Sequence, residues 1–386
     1  SAHLEKMECF NPQVHKAFRD AIGWLSDWAC SRSFGLGTRM PWDDQFLIES
    51  LSDSTIYMAY YLVAHFLQGG DLNGRETGPS GIKPEQCTEA FWDTVMLGKK
   101  YDKALGIDEG LIKKMRNEVS FWYPMDLRVS GKDLIPNHLT MSLYNHAAVW
   151  KDEPSMWPLG IFCNGHVQVD AEKMSKSKGN FITMEGAIEL WGSDATRFTC
   201  ADAGDGILNA NYDRVVADRA ILSLTTELEW LTDILGGKKM KGVTGPALRA
   251  KGAAPVWLDA WFANQMVVLC HEAADKYQTM RFKEALKVGY YLMQEARDRY
   301  RAGTAHVGAD EALVRQWAEW QALFMVPITP HWSEAMWELL GKSGCIVQAR
   351  WPSPKVKEDA QISAAGEYLF EVAHKLAAAL ANMGKK

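Results

Sequence analysis

The feature that most limits the architecture is a change of period near residue 194. Downstream of it the chain reads as long helical segments near 213–235, 256–278, 281–301, 309–325 and 330–340, with a last one near 361–384. In the 281–301 segment Phe282, Ala285, Leu286, Gly289, Met293, Ala296 and Tyr300 recur at alternating three- and four-residue steps, which is one face of an α-helix. "VPITPHWSEAMWELLG" carries its own boundaries: Thr329 as N-cap, Pro330 in the first turn and Gly341 just past the end. Several such stripes bury themselves by facing one another, so the second half is an α-helical bundle. Between its first two long helices "GGKKMKGVTGPALRAKGAAP" holds Lys238, Lys239, Lys241, Arg249 and Lys251 with no acidic residue, and reads as a flexible loop.

The first half has a different rhythm. Residues 46–68 read as a helix ending at Gly69-Gly70, and 71–118 as a polar connecting subdomain with a helical piece from 108. "MDLRVSG" (125–131) reads as a strand entering a glycine turn, "NHLTMSLYNHAAVW" (137–150) as a buried helix, and "LGIFCNGHVQV" (159–169) as a strand or hairpin. Strand, turn, helix and strand in that order indicate an α/β sheet with parallel strands. The fold class is therefore α/β followed by all-α. The 386 residues carry a net charge of −6, so nucleic acid would be bound through local patches rather than bulk charge. Sixteen tryptophans are scattered along the chain, as core anchors are, with no repeat. Seven cysteines without a Cys-x-x-Cys pair exclude a zinc-ribbon spacing and fit reduced thiols in a cytosol-like compartment. No run of eighteen apolar residues spans a membrane. The start at Ser1 reads as a cut or processed end.

Two phosphate-loop look-alikes fail. "GLGTRM" (35–40) has Met40 where a dinucleotide fingerprint needs its third glycine, and "GKS" (341–343) has Met336 where a P-loop needs its first. "AEKMSKSKGN" (171–180) is different, with Lys173 and Lys176 separated by small residues and Gly179 closing the loop. Ammonium groups on a movable loop stabilise the charge that develops on a departing polyphosphate. On lysine count alone the plainer reading is a solvated basic loop.

Lys-Met-Ser-Lys-Ser in full, after a strand and before a helix, resembles the signature loop of class I aminoacyl-tRNA synthetases. "YPMDLRVSGKDLIPNHLT" (123–140) resembles the segment lining their adenosine site, which implies Gly131 beside the nucleoside and Asp133 on the ribose hydroxyls. "DWACSRSFGLGTRMPW" (27–42) is similar to the segment where the chain re-enters the catalytic fold after an inserted editing domain. "LSDSTIYMAYYLVAH" (51–65), together with "SGKDLIPNH", is similar to leucyl-tRNA synthetases of the eukaryotic and archaeal type. That resemblance implies Tyr57 and His138 bordering a leucine pocket, with Ser54 on the same helical face; Tyr61, also on that face, reads as core. It further implies ATP contacts from Gly165, His166, Met174 and Ser175, and catalysis by Lys173 and Lys176.

"GSDATRFTCADAG" (192–204) and the 323–341 segment resemble the junction helix and helical anticodon-binding domain, giving domains at 1–193, with the lysine loop at 173–177, and at 194–386. Lys178 stands where the family leads one to expect threonine, and adds a positive charge. Implied partners are leucine, ATP with Mg2+, tRNA(Leu) through Lys238, Lys239 and Lys241, and a multi-synthetase assembly; no protein-bound zinc is expected, and the compartment is cytoplasmic. The ten histidines include no His-x-x-His pair, so the His-Ile-Gly-His-type element of the family is missing, and with it the first half of the catalytic fold. That half is an expected partner, and the chain alone is expected to be inactive. A non-catalytic RNA- or protein-binding fragment is the alternative from another class. Valyl-, isoleucyl- or methionyl-type enzymes are the alternatives within the family.

Overall fold

The strand expected at 125–131 occupies Arg128–Gly131 in the computed structural model, and it pairs in parallel with Ile161–Asn164. The structure describes residues 1–70, 76–175, 177, 179–238 and 245–383, with side chains described to residue 380. It comprises two compact units, Ser1–Gly165 and His166–Lys386.

In the first unit the crossover between the parallel strands runs through a short π-helical turn, Ile135–Leu139, and the helix Thr140–Val149. The residues after the second strand do not turn back on it. Val167–Val169 belongs to another sheet, pairing antiparallel with Glu172–Lys173 and parallel with Ala210–Tyr212. The expected helix over 46–68 is shorter than its pattern implies. Asp43–Ile48 is the central strand of a small antiparallel sheet with Ser31–Arg32 and Arg39–Met40, and the regular helix runs over Tyr57–Leu67. Ser50–Asp53 and Ser54–Ile56 form short turns between them, where serine and aspartate side chains compete for backbone groups. A helix at Glu89–Leu97 lies inside the stretch read as polar connection, capped by Thr88 and closed by Gly98 at φ 67°. It packs with Glu109–Trp122 through Phe91, Val95, Ile112, Met115 and Val119.

The second unit is the expected bundle: Arg214–Leu235, Trp257–Gln278, Phe282–Leu286 continuing through a π-turn into Met293–Gly303, Glu311–Met325, Pro330–Leu339 and Ala360–Met383. Ala285, Leu286, Gly289, Met293, Ala296 and Tyr300 of the stripe are buried. At the centre the Arg297 guanidinium lies 4.3 Å over the Trp230 ring and 4.9 Å over that of Trp317, and is ion-paired with buried Glu227. Thr329 stands at the N-cap, but the cap bond comes from elsewhere. The Trp332 N–H donates to Asp194 Oδ2 at 2.6 Å, while the Thr329 hydroxyl turns back to the Met325 carbonyl at 3.4 Å. The helix Met184–Ala203 breaks at Gly192, whose φ of 76° is left-handed.

Candidate functional site

Parallel pairing aligns Gly131 with Asn164, so the two parallel strands end at one edge. Open parallel sheets present ligands beyond such carboxyl ends. Gly131 has φ −82° and ψ 148°, angles any residue adopts. Its lack of a side chain matters for space, since a Cβ there would lie 2.6 Å from Asp133 Oδ1. Asp133 sits in the short turn Lys132–Leu134, and its backbone carbonyl accepts from Asn137 Nδ2 at 3.3 Å. Cys163, on the neighbouring strand, is buried; burial, with Cys9 and Asp133 adding, pushes its thiol up to about 12. Gly165 follows that strand, its carbonyl accepting from Asn164 Nδ2 at 2.8 Å.

Tyr57 and His138 come together as the resemblance implies, their rings stacked at 5.9 Å with 22° between planes. The π-turn places His138; such turns are frequent at functional sites. His138 is 2% exposed and its Nε2 donates to the Ser54 carbonyl at 3.2 Å. Nδ1 is then a bare lone pair, with no hydrogen-bond partner. Burial lowers its pKa, with Arg128 adding to the effect, so the ring is held neutral. Ser54 contributes that carbonyl; its hydroxyl donates to Ser50 O at 2.9 Å within its own turn. Tyr61 is 53% exposed, not core, with its ring 6.2 Å from that of Tyr57.

Two residues here escaped the sequence reading. Arg128 holds its guanidinium 5.0 Å over the Tyr57 ring, and Glu49 is a buried carboxylate. Desolvation raises the Glu49 pKa, but hydrogen bonds from Trp28, the Leu51 and Ser52 backbones and the Ser52 hydroxyl outweigh it, and the group is held below its ordinary value. The one sequence signal for Arg128 was a lone base in the short stretch read as a strand, 125–131.

In the second unit the lysine loop leaves a tight turn at Asp170 and Ala171, with φ 51° and 64°. For alanine that conformation is strained, and three contacts hold the turn. The Ala171 N–H donates to Asn211 Oδ1 at 2.5 Å, the Asp170 N–H donates to the Tyr212 carbonyl, and Arg214 pairs with the Asp170 carboxylate at 3.1 Å. Asn180 then clasps both ends of the loop, accepting from Ser175 N at 2.9 Å and donating to Lys173 O at 3.1 Å. The only sequence hint of that clasp was the Gly-Asn after the lysines. Met174 packs on the small core of Val169, Tyr212 and Ala217, leaving Lys173 exposed. His166 starts the unit, its N–H donating to Asn209 Oδ1 at 3.2 Å. Lys176 and Lys178 lie outside the described residues, as do Lys239 and Lys241. Lys238 pairs with Asp233 at 2.6 Å. Arg249 is not a free phosphate contact: its side chain is 6% exposed and grips Asp259 through two bonds of 2.6 and 2.9 Å.

An apolar cavity of about 390 Å³ lies in the first unit against Ile56, Tyr60, Trp92, Met96, His146 and Trp150, and none of Tyr57, Gly131, Asp133 or His138 lines it. Among the described residues no cluster of three or more His, Cys, Asp or Glu side chains is placed to hold a metal ion, and no helix is long and apolar enough to cross a membrane.

Residues 113–219 match the family model described as tRNA synthetases class I (M), and residues 259–385 match that of the anticodon-binding domain of tRNA ligase. The cytoplasmic leucine–tRNA ligase of Pongo abelii is 42% identical over 379 residues, 98% of this chain and 31% of that protein. The leucine–tRNA ligase of Aeropyrum pernix is 38% identical over 373 residues, 94% of this chain and 36% of that one. The chain thus spans about a third of the length of these relatives. Among solved structures, Mycobacterium tuberculosis methionyl-tRNA synthetase in complex with methionyl-adenylate aligns with a TM-score of 0.57 at 18% identity, covering 88% of this chain and 59% of that one. At that identity the likeness is one of fold.

Proposed function

Because this chain belongs by sequence to the leucine–tRNA ligases, of whose length it spans about a third, we propose that it is the part of such an enzyme that holds the adenosine, half of the leucine pocket and the helical tRNA-reading domain. The observation that carries this reading is the juxtaposition in one unit of the Gly131–Asp133 turn, at the carboxyl edge of the parallel strands, with the Tyr57–His138 wall. In the reaction a leucine carboxylate oxygen attacks the α-phosphorus of ATP. The bond from that phosphorus to the bridging oxygen breaks, and pyrophosphate leaves with the electron pair. The leucyl group then passes to a ribose hydroxyl at the tRNA terminus, and AMP is released.

Asp133 would accept both ribose hydroxyls, and Gly131 would leave room for the sugar. Lys173 and Lys176 would meet the charge growing on pyrophosphate. Gly165, His166, Met174 and Ser175 would offer backbone contacts to ATP, since the Met174 side chain is committed to packing. Mg2+ would arrive on the phosphates of ATP. The division of labour we propose is 1–193 for the nucleotide fold and 194–386 for tRNA(Leu), with Lys238, Lys239 and Lys241 as phosphate contacts. The upstream half of the catalytic fold is the partner this chain needs, and the compartment is the cytoplasm. The test is pyrophosphate exchange across the standard amino acids, with this chain joined to its upstream half. Leucine-dependent exchange is expected, and exchange with valine, isoleucine or methionine instead would overturn the assignment.

A further inference from the structure

Among the described residues, Arg128 is a charged member of the Tyr57–His138 wall with a buried donor that no protein acceptor meets. Its guanidinium lies over Tyr57, and its Nε is shut in against the protein with no acceptor. Among the described residues no carboxylate pairs with it. Glu49, the nearby buried anion, already spends its oxygens on Trp28 and Ser52. His138 shares the wall, and burial holds it neutral, so it adds no second positive charge beside Arg128. A ring face attracts a cation but accepts none of its in-plane N–H bonds. Half-buried guanidinium groups without an acidic partner are costly, and an anion in the pocket removes that cost.

We propose that Arg128 is the carboxylate-binding residue for the amino-acid substrate. It would receive the α-carboxylate while Tyr57 and His138 border the side chain. This rests on the leucine-activating role argued above and adds a residue to it. Arg128 opens the strand Arg128–Gly131 whose carboxyl end carries the proposed sugar site, which places the two within one strand length, about 10 Å, of each other.

The experiment compares leucine with leucinol, which lacks the carboxylate, by calorimetric titration of the longer protein in which the upstream half is joined to this chain. Arg128→Gln is expected to weaken leucine by about 10- to 100-fold, as losing a charge-assisted pair does, while leucinol changes by less than about twofold. Arg128→Lys is expected to recover part of the loss, because it restores the charge without the fork. Equal weakening of both ligands would overturn the proposal, since it would mean that Arg128 only props the wall. So would an unchanged leucine affinity accompanied by a raised KM for ATP, which would assign the anion to a phosphate. A wild-type protein that binds neither ligand would remove the leucine-activating reading and this proposal together. Wild-type binding with an unchanged leucine-to-leucinol ratio in Arg128→Gln would remove this proposal alone.

Discussion

Replacing Gly131 with alanine isolates the nucleotide site from the fold. The backbone at φ −82° and ψ 148° accepts alanine without strain, so the strand and its pairing with Asn164 should survive. The new Cβ, however, would lie 2.6 Å from Asp133 Oδ1, closer than real Cβ atoms approach an oxygen. What must yield is the carboxylate, the far end of a flexible side chain, and it can yield cheaply. Stability should therefore change by less than about 0.5 kcal/mol, as for substitutions away from tight packing. If Asp133 holds the sugar as proposed, a displaced carboxylate would lose its hydrogen bonds to the ribose hydroxyls, and bonds to a charged group contribute about 1.5–3 kcal/mol. That corresponds to a rise of about 10- to 100-fold in the KM for ATP. Pyrophosphate exchange by the longer protein, at saturating leucine, measures it. Leucine affinity in the absence of ATP should stay put. An unchanged KM for ATP alongside unchanged melting would show that Asp133 does not hold the sugar.

Four further outcomes are expected. Lys176→Ala should lower leucine activation by about 100-fold with leucine affinity unchanged, and a single-turnover rate equal to wild type would refute the role. Asn180→Ala should raise the KM for ATP several-fold at constant melting temperature, with Asn180→Asp intermediate because it keeps the acceptor for Ser175 N; an unaltered KM would dismiss the clasp. Gly366→Ala would drive a Cβ to 2.2 Å from the Trp261 ring. Overpacking of about 1–3 kcal/mol exceeds the roughly 1 kcal/mol that alanine gains in a helix, so the bundle should melt lower, and a rise would contradict the packing. Finally, His3, His138 and His146 all have pKa values lowered, burial being the largest cause in each. Below about pH 6.5 the unfolded chain binds protons that the folded one refuses, so stability should be full above that pH and fall as it drops, by at most about 1.4 kcal/mol per unit per histidine. Equal urea midpoints at pH 7.5 and 5.5 would refute it.

Much of the bundle was legible because its signal is local. A stripe from Phe282 to Tyr300 repeats within one element, and burial of Ala285, Leu286, Met293 and Tyr300 follows from that repeat alone. The strand at Arg128–Gly131 and the helix after it were likewise marked by short-range pattern and a glycine. The errors fall where a segment's state is set by the partner it pairs with or caps rather than by its own pattern. Phe46–Ile48 reads as the start of a helix because its apolar residues run on into 57–67, yet Asp43–Ile48 pairs with Ser31–Arg32 and Arg39–Met40 and is a strand. Thr329 has the right type for a cap, but Asp194, from another helix, takes the bond.

The same division holds for the candidate site. The lysine loop and the glycine–aspartate turn are contiguous strings, but what marked them and the distant Tyr57 and His138 as candidate site residues was their resemblance to a family, since on residue types alone each has a plainer reading. Only the tertiary structure decided that Arg128 lies over Tyr57, that Asn180 ties Ser175 to Lys173, and that Arg249 is locked to Asp259. A side chain's availability depends on what the rest of the chain brings within about 3 Å of it, and no window of sequence contains that information.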